Sequence, residues 1–436
     1  MPLAVLALLG FLLLAFVAAG PWIVASYGYA VFIPCMVASG GLTIAAAYLA
    51  PSVPPRAGLQ VILALALTMR LLLVGEDPLL STDIYRYVWD GRVQGADINP
   101  YLYVPADPAL TAFRDTVIYP GINRADYAVT AYPPAAQMFF FAVTRVAETL
   151  TAMRVALVAC EAVVIAVMID LLRRLQLPQT AVVVWAWHPL VIWEIANNGH
   201  VDALMVALLM LAVWLLVRFR RVAGAIAVAL AALVKPYALV AVPVFWCPWD
   251  WRVPLAVSAT ILLAYAPYLA AGRGVLGFVT TGYLSEEGLF GGEGFWLVAL
   301  LRAAFGEIPG LSFAYVLASA SVLAWLALRT VMRTDTSLQA MLRDLTMLLM
   351  AALFLLSPNY AWYVLLVVPF VALGGGMPAW AMTLGAILLY RPLLLPDNDL
   401  AWKTLATLPF IAAVAFVLMR RRGSLNRIEG ASQWTS

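Results

Sequence analysis

Four polar residues in the first quarter of the chain have the spacing of an active surface. Asp83 and Asp90 are seven residues apart, and Arg86 and Tyr87 lie between them at spacings of three and four. On a helix these positions share one face. Carboxylates can exchange protons, and a guanidinium group can bind anions. The same pattern is also typical of a helix at the membrane interface whose charges only contact lipid headgroups.

A second polar group, Asn198, His200 and Asp202, separates two apolar stretches. Capping of helix ends explains Asn198 and Asp202, because an aspartate near a helix start is stabilised by the helix dipole. His200 and Asp202 together could instead orient a hydroxyl or a phosphate at the mouth of a helical bundle. The sequence leaves both interpretations open.

Lys235 is one of two lysines in the chain, the other being Lys403. It lies within an apolar stretch, where a lysine at the bilayer centre costs about 3 kcal/mol. It should therefore pair with an anion or face an aqueous cavity. Pro236 follows it and breaks the helix. We predict a bent, outward-facing point where a cation meets a phosphate; the alternative is a structural lysine whose amine extends to the interface.

The composition places these residues in a membrane protein. Hydrophobic residues make up 64% of the 436 residues and charged residues 11%, against roughly 45–50% and 25% in soluble domains. The net charge of +3 without a basic stripe excludes nucleic acid as a partner. The three cysteines, Cys35, Cys160 and Cys247, lack the spacing of a metal site. The prediction is an all-α polytopic membrane protein without a metal or other cofactor.

The apolar stretches predict a bundle of about 13–14 transmembrane helices. The predicted spans are 3–24, 28–50, 58–76, 153–172, 180–196, 201–217, 221–235, 237–247, 253–271, 311–330, 342–357, 360–373, 377–393 and 403–420. Arginine clusters at the connections put both termini in the cytoplasm by the positive-inside rule. This requires the apolar stretch 134–150 to lie on the outer leaflet rather than to cross. The long polar loops then face outward.

Six regions follow from this topology, and their roles differ. We predict N-terminal transmembrane helices (1–76), a first outer loop with juxtamembrane helices and the catalytic acid (77–152), a transmembrane core (153–271), a second outer loop (272–310), C-terminal transmembrane helices (311–422) and a disordered cytoplasmic tail (423–436). Glutamates among glycines in the second outer loop, such as Glu286 beside Gly288, suggest a mobile lid.

The stretch from Thr82 to Tyr101, with Tyr132-Pro133-Pro134 after it, resembles the first outer loop of the GT-C superfamily of membrane glycosyltransferases. It is most similar to the polyprenyl-phosphate-mannose-dependent mannosyltransferases. Three later stretches, 198–203, 233–236 and 359–363, resemble recurring motifs of the same enzymes. The resemblance implies a catalytic aspartate at Asp83. The family often has Asp-x-Asp there, and Tyr85 stands at the second place, so Asp83 would act alone or with Asp90.

The resemblance implies an enzyme that moves a hexose, mannose above all, from a polyprenyl-phosphate donor to a lipid or glycan acceptor with inversion. We expect it in a bacterial plasma membrane, with its site on the outer face. Asp83 would be the base, because polyprenyl phosphate is already a competent leaving group. The donor phosphate would be bound by Lys235, Arg86 or Arg92. The expected substrate contacts are Tyr87, Tyr132, Asn198, His200, Asp202 and Tyr360.

Two other functions have some of these features. A multispan transporter or flippase should show inverted repeats and broken helices that meet at the midplane, whereas the ionisable residues here are expected at the outer face. A ligase for lipid-linked polymers would favour two arginine-rich outer loops. The second outer loop has only Arg273 and Arg302, near its ends.

Overall fold

The computed structural model describes residues 1–390 and 399–432. Every regular element in this part of the chain is helical, so the predicted all-α class is confirmed. The first six helices are α1 (Pro2–Tyr27), α2 (Tyr29–Leu49), α3 (Pro55–Leu73), α4 (Asp83–Gly95), α5 (Pro134–Thr144) and α6 (Leu150–Arg174). The first loop, residues 74–149 between α3 and α6, therefore contains two helices, α4 and α5, which pack against each other.

The middle of the chain has shorter helices. They are α7 (Val183–Ala186), α8 (Pro189–Val191), α9 (Asp202–Val217), α10 (Arg221–Ala232), α11 (Val242–Phe245), α12 (Arg252–Tyr265) and α13 (Leu284–Glu286). The second loop, residues 277–310, contains α13 and α14 (Trp296–Phe305). The last helices are α15 (Leu311–Val331), α16 (Leu338–Leu356), α17 (Val368–Phe370), α18 (Gly376–Gly385) and α19 (Asp399–Ser432).

Short 3₁₀ and π segments connect or extend these helices. The 3₁₀ segments are Ala50–Ser52, Pro108–Phe113, Tyr119–Gly121, Gln179–Val182, Pro236–Ala241, Ala266–Leu276, Ala361–Leu366 and Ala386–Tyr390. The π segments are Ile192–Asn197, Val279–Tyr283 and Val371–Gly375. Such irregular helical backbone is frequent near functional sites.

The described residues contain nine helices long and apolar enough to span a membrane, or ten if a pair bent by 119°, Pro189–Asn197 with Asp202–Val217, counts as one. This corrects the predicted 13–14. Proline has no backbone N–H to donate, so Pro189 begins a short new segment inside the predicted span 180–196, and Pro236 begins one between the predicted spans 221–235 and 237–247. The predicted span 360–373 is likewise divided into short pieces. Residues 391–393 of the predicted span 377–393 lie outside the described residues.

Two further predictions concern segments that do not cross. The helix α5 has 11 residues, or about 16 Å, which is too short to span the bilayer alone. The last helix continues to Ser432, whereas we expected a disordered tail from residue 423. No proline interrupts residues 423–432, and Leu425, Arg427 and Glu429 favour a helix. Residues 433–436 lie outside the described part.

Basic residues collect at one end of the bundle. Asp170 pairs with Arg173 at 2.6 Å and Arg174 at 2.9 Å, and Arg218 lies 3.3 Å from the same carboxylate. Arg218 directly follows α9, and Asp202 is the first residue of that helix. The 16 residues of α9 measure about 24 Å. The polar residues around Asp202 and the arginine cluster are therefore at opposite ends of the bundle.

A buried ion pair joins three elements in the interior. Arg70 on α3 contacts Glu161 on α6, with 2.8 Å between Nη2 and Oε2, and Nη1 donates to the carbonyl of Ala186 at 2.6 Å. The two side chains are only 5% and 3% exposed. Arg70 thereby also anchors the irregular segment that follows α7. Removing one partner would leave a buried charge uncompensated.

We expect Glu161→Gln to lower the free energy of unfolding by about 3–5 kcal/mol, because Arg70 loses its counter-charge in a buried site. The measurement is the midpoint of thermal unfolding of the purified protein in detergent. Arg173→Gln is the control, since this side chain is 66% exposed and its ion pair should contribute about 1 kcal/mol or less. Equal small shifts of the unfolding midpoint in both variants would contradict the stabilising role of the buried pair between Arg70 and Glu161.

Candidate active site

A single cavity of about 760 Å³ brings together residues from distant parts of the sequence. Its wall is formed by the start of α4, the end of the first loop, the break after α10, the start of the second loop and the segment before α17. The polar and aromatic side chains that line it are Asp83, Arg86, Asn123, Arg124, Tyr127, Tyr132, Lys235, Tyr237, Tyr283, Glu286, Tyr360, Trp362 and Tyr363. Its volume suits a ligand larger than a free monosaccharide.

Asp83 is one of two carboxylate residues that line the cavity, the other being Glu286. It is the first residue of α4, where the helix dipole favours a negative charge. Its Oδ1 accepts a hydrogen bond from Asn123 Nδ2 at 2.8 Å, and its Oδ2 accepts one from Tyr132 OH at 3.1 Å. The side chain is half-buried. These two donors fix the carboxylate and leave lone pairs for a substrate hydroxyl.

Lys235 lies at the break between α10 and Pro236, as predicted from the sequence. Its Nζ is 2.5 Å from Asp202 Oδ2, and Tyr237 OH donates to Asp202 Oδ1 at 2.8 Å. Asp202 begins α9 and is completely buried. The ammonium group therefore has a fixed carboxylate partner. Two of its three N–H groups remain available to a ligand.

The structure separates the four residues of the predicted active face. Arg86 lines the cavity, but its Nε binds Asp90 Oδ1 at 2.7 Å and its Nη1 donates to the Ala128 carbonyl at 3.0 Å. Asp90 is 1% exposed and accepts from Gln137 on α5 at 2.9 Å. It does not line the cavity. Because α4 packs on α5 through this side, Asp90 is buried in the helix interface and only Asp83 reaches the open space.

Arg92 and Tyr87 also lie behind the cavity wall. Arg92 pairs with Asp115 at 2.7 Å and with Glu148 at 2.8 Å, which ties the first loop together. Burial raises the pKa of Asp115, but the N–H groups of Ile118 and Tyr119 and the Arg92 guanidinium outweigh this and hold the pKa below its usual range. This placement gives no support to a phosphate contact for Arg92.

The buried Tyr87 ring supports the cavity wall from behind. It is stacked on Phe140, with 4.5 Å between centroids, and meets Tyr132 edge-on at 4.9 Å. Tyr87 is not exposed to the cavity. Its contacts hold the Tyr132 ring in the position from which the hydroxyl reaches Asp83. Tyr87 therefore positions a residue that lines the cavity and does not line the cavity itself.

Asn198 and His200 are completely buried and support the wall from outside. Asn198 Oδ1 accepts the backbone N–H groups of Leu79 at 3.2 Å and Leu80 at 2.8 Å, just before Asp83. His200 is stacked on Trp362 with 4.1 Å between ring centroids. Its Nδ1 is 3.9 Å from Asp202 Oδ2. Both residues therefore position cavity residues and do not line the cavity themselves.

Residues from the second half of the chain form an aromatic wall along one side of the cavity. Tyr360 stacks on Trp362, with 4.4 Å between centroids and 8° between planes. Tyr363 stacks on Tyr237 at 5.1 Å, and its hydroxyl is 2.5 Å from that of Tyr283. Such a surface of rings and hydroxyl groups suits a sugar, which has both C–H and O–H faces. Of these residues, only Tyr360 was predicted as a site residue.

The two loops meet across the mouth of the cavity. Arg124 Nε in the first loop is 2.6 Å from Glu286 Oε2 in the second loop, and Tyr127 OH donates to Glu286 Oε1 at 2.9 Å. The backbone N–H of Phe278 donates to the carbonyl of Thr130 at 2.9 Å.

Within the residues that the structure describes, no group of three or more His, Cys, Asp or Glu residues could hold a metal ion.

Sequence reasoning missed Asn123, Tyr237, Tyr283, Trp362 and Tyr363. The run Asn359 to Tyr363 gave a signal, because its polar and aromatic residues interrupt apolar sequence. Asn123 gave none, since its contact with Asp83 joins residues 40 positions apart. The two residues on which the prediction depended most, Asp83 and Lys235, do line the same cavity.

A helical membrane protein with a polar cavity at one end of its bundle is consistent with a membrane glycosyltransferase of the GT-C superfamily, and a family comparison identifies this class. The model of the alpha-(1->6)-mannopyranosyltransferase family, N-terminal domain, matches residues 14–250, just over half of the chain. The chain belongs to this family. No curated protein and no solved structure matches it.

The protein is therefore an integral membrane mannosyltransferase that uses a sugar donor and a glycan or lipid acceptor. The predicted class of enzyme is confirmed. The family match includes Asp83, Asp202 and Lys235. Most of the aromatic wall, namely Tyr283, Tyr360, Trp362 and Tyr363, lies in the part of the chain after the match.

We expect Asn123→Ala to lower kcat of mannosyl transfer by about tenfold, because Asp83 loses one of its two fixed donors, worth about 1.5 kcal/mol to a charged acceptor. KM should change little. Asp107→Ala is the matched control: it removes a half-buried side chain of the same loop that accepts a backbone hydrogen bond from Ala109 and lies outside the cavity. A parallel decrease in both variants would show a general loss of loop structure instead.

Proposed function

We propose that this enzyme transfers mannose from a polyprenyl-phosphate donor to a hydroxyl group of a lipid or glycan acceptor, with inversion, on the outer face of the plasma membrane. The observation that carries the proposal is the position of Asp83 and Lys235 in one cavity. A base for the acceptor hydroxyl and a cation for the departing phosphate are what the reaction needs. The aromatic wall supplies a surface for the sugar.

Asp83 acts as the general base in this mechanism. The acceptor oxygen attacks C1 of mannose, its proton passes to the Asp83 carboxylate, and the bond between C1 and the phosphate oxygen breaks. The electron pair of that bond leaves with the polyprenyl phosphate. Asn123 and Tyr132 hold Asp83 in place for the attack. Because attack occurs opposite the leaving group, an α product requires a donor in which mannose is β-linked.

The Lys235 ammonium faces the leaving group. Its pairing with Asp202 fixes its position, and its two remaining N–H groups donate to the phosphate oxygens as negative charge develops there. Arg86 adds positive potential to the same wall but has committed its Nε and Nη1 groups. The name of the family suggests that the acceptor hydroxyl is the 6-hydroxyl of a mannose residue.

Apolar residues beside these polar groups offer a place for the lipid part of the donor. Leu79, Leu80, Phe278, Val279 and Leu284 line the same cavity. A prenyl chain could leave the cavity along such a surface and enter the hydrocarbon of the bilayer without crossing water. A soluble nucleotide-sugar donor would gain nothing from this apolar side, which favours a lipid-linked donor.

We expect Asp83→Asn to lower transfer from polyprenyl-phosphate mannose by about 10²–10⁴-fold, because the base is lost while the size of the side chain is kept. The variant should accumulate normally, since Asp83 is only half-buried. Lys235→Ala should lower transfer by about tenfold or more. The assay is transfer of labelled mannose in membranes. The control is Asp126→Asn, because Asp126 is an exposed residue of the same loop. Full transfer by Asp83→Asn would exclude Asp83 as the general base.

The sidedness rests on the arginine cluster at the far end of α9, which the positive-inside rule assigns to the cytoplasm. We expect a membrane-impermeant maleimide to label Asp126→Cys in intact cells and to leave Phe219→Cys, beside Arg218, unlabelled until the cells are opened. The parent chain with its three cysteines gives the background. The reverse pattern would place the cavity on the cytoplasmic side.

A further inference from the structure

Every cation that lines the cavity has a carboxylate partner. Arg86 pairs with Asp90, Lys235 with Asp202 and Arg124 with Glu286. A phosphate that enters the cavity therefore meets three neutralised cations. It can gain a full ionic contact only where one of these carboxylates can be displaced.

Two of the three pairs are fixed. The Asp90 and Asp202 side chains are 2% and 0% exposed. Gln137 holds Asp90, and Tyr237 holds Asp202. Moving either carboxylate away would leave a buried charge without a partner, which is strongly unfavourable. The Arg86–Asp90 and Lys235–Asp202 pairs therefore stay intact while the substrate binds and reacts.

The third pair differs in exposure and in position. The Arg124 and Glu286 side chains are 26% and 30% exposed, so water can solvate Glu286 when it leaves. The two residues are in different loops, and a movement of the second loop would separate them. Arg124 also has φ at 55°, a left-handed conformation that is uncommon for a residue other than glycine.

We propose that Arg124 and Tyr127, together with Lys235, bind the phosphate of the polyprenyl-phosphate substrate, and that Glu286 occupies the place at Arg124 and Tyr127 until the phosphate displaces it. The proposal rests on the proposed function. The Glu286 carboxylate receives hydrogen bonds from Arg124 Nε and Tyr127 OH. A phosphate offers the same kind of anionic oxygen acceptors, and an arginine can bind two of them at once.

The exchange has a direct consequence for the loops. Glu286 links the second loop to the first, so its displacement breaks the side-chain ties to Arg124 and Tyr127 and frees this part of the second loop. After transfer, the polyprenyl phosphate product carries one more ionisable oxygen than the donor and therefore binds Arg124 more strongly. Return of Glu286 to Arg124 competes with this product and favours its release. Glu286 is thus a competing anion built into the protein.

The test measures binding and transfer separately. The purified full-length protein in detergent binds undecaprenyl phosphate, with undecaprenol as the uncharged control, and dissociation constants are compared between variants. We expect about tenfold weaker binding for Arg124→Gln. We expect Glu286→Gln to bind about threefold more tightly or better, because a neutral amide competes less well for the guanidinium than a carboxylate does. Undecaprenol binding should change in neither.

The matched control is Arg145→Gln. This arginine lies in the first loop outside the cavity, with 3.2 Å between its Nη2 and Glu148 Oε1, and its side chain is 41% exposed. Arg145→Gln should not change binding. In the double variant Arg124→Gln/Glu286→Gln, the gain from Glu286→Gln should disappear, because the two residues act on one ligand group.

The opposite effects of Arg124→Gln and Glu286→Gln are the decisive result. A purely structural tie between the loops would make both variants weaken binding, and that outcome, or unchanged binding in Arg124→Gln, overturns the proposal. Wild-type transfer from polyprenyl-phosphate mannose is measured in parallel. Its absence would refute the proposed donor, whereas intact transfer with unaltered phosphate binding in Arg124→Gln would refute only the role of Arg124.

Discussion

The structure depends on the cost of placing charge in a hydrocarbon solvent. An ionised side chain inside a membrane bundle needs a partner or access to water. Arg70 illustrates the first solution: it contacts Glu161 and a backbone carbonyl, and it joins α3, α6 and the segment after α7. Lys235 combines both, because it is paired with Asp202 and faces the cavity. The same physical constraint therefore holds the bundle together and places a cation in the site.

Broken helices make this site possible. A continuous helix satisfies its own backbone and leaves no polar groups for a ligand, whereas a helix end has free N–H or carbonyl groups. The chain turns by 119° between Asn197 and Asp202, and α10 ends shortly before Lys235 and Pro236. Asp202 and Lys235 are thereby brought together. The break at Pro236 places Lys235 at the cavity, although broken helices are also a feature of transporters.

Much of this arrangement could be predicted because charge is rare in the chain. Lys235 stood out from its apolar surroundings and Asp83 from its helical spacing with Asp90, and both line one cavity. Helical spacing predicted one face for Asp83 and Asp90 but could not show that α5 covers half of it, so Asp90 is buried instead. The number of spans was overestimated because hydropathy reports the free energy of transfer and not whether a helix is continuous. The role of Asn123 could not be predicted, because no local sequence pattern indicates a contact with a residue 40 positions away.

The reacting groups and the wall that faces them come from different parts of the chain. Asp83 and Lys235 lie within the family match, which ends at residue 250, and the aromatic residues Tyr283, Trp362 and Tyr363 follow it. The two parts are joined through Asp202, whose partner Tyr237 stacks on Tyr363. A shift of the later helices would thus move the wall and the Lys235 pair together. The position of the Lys235 ammonium relative to the aromatic wall therefore depends on packing between the two halves of the bundle.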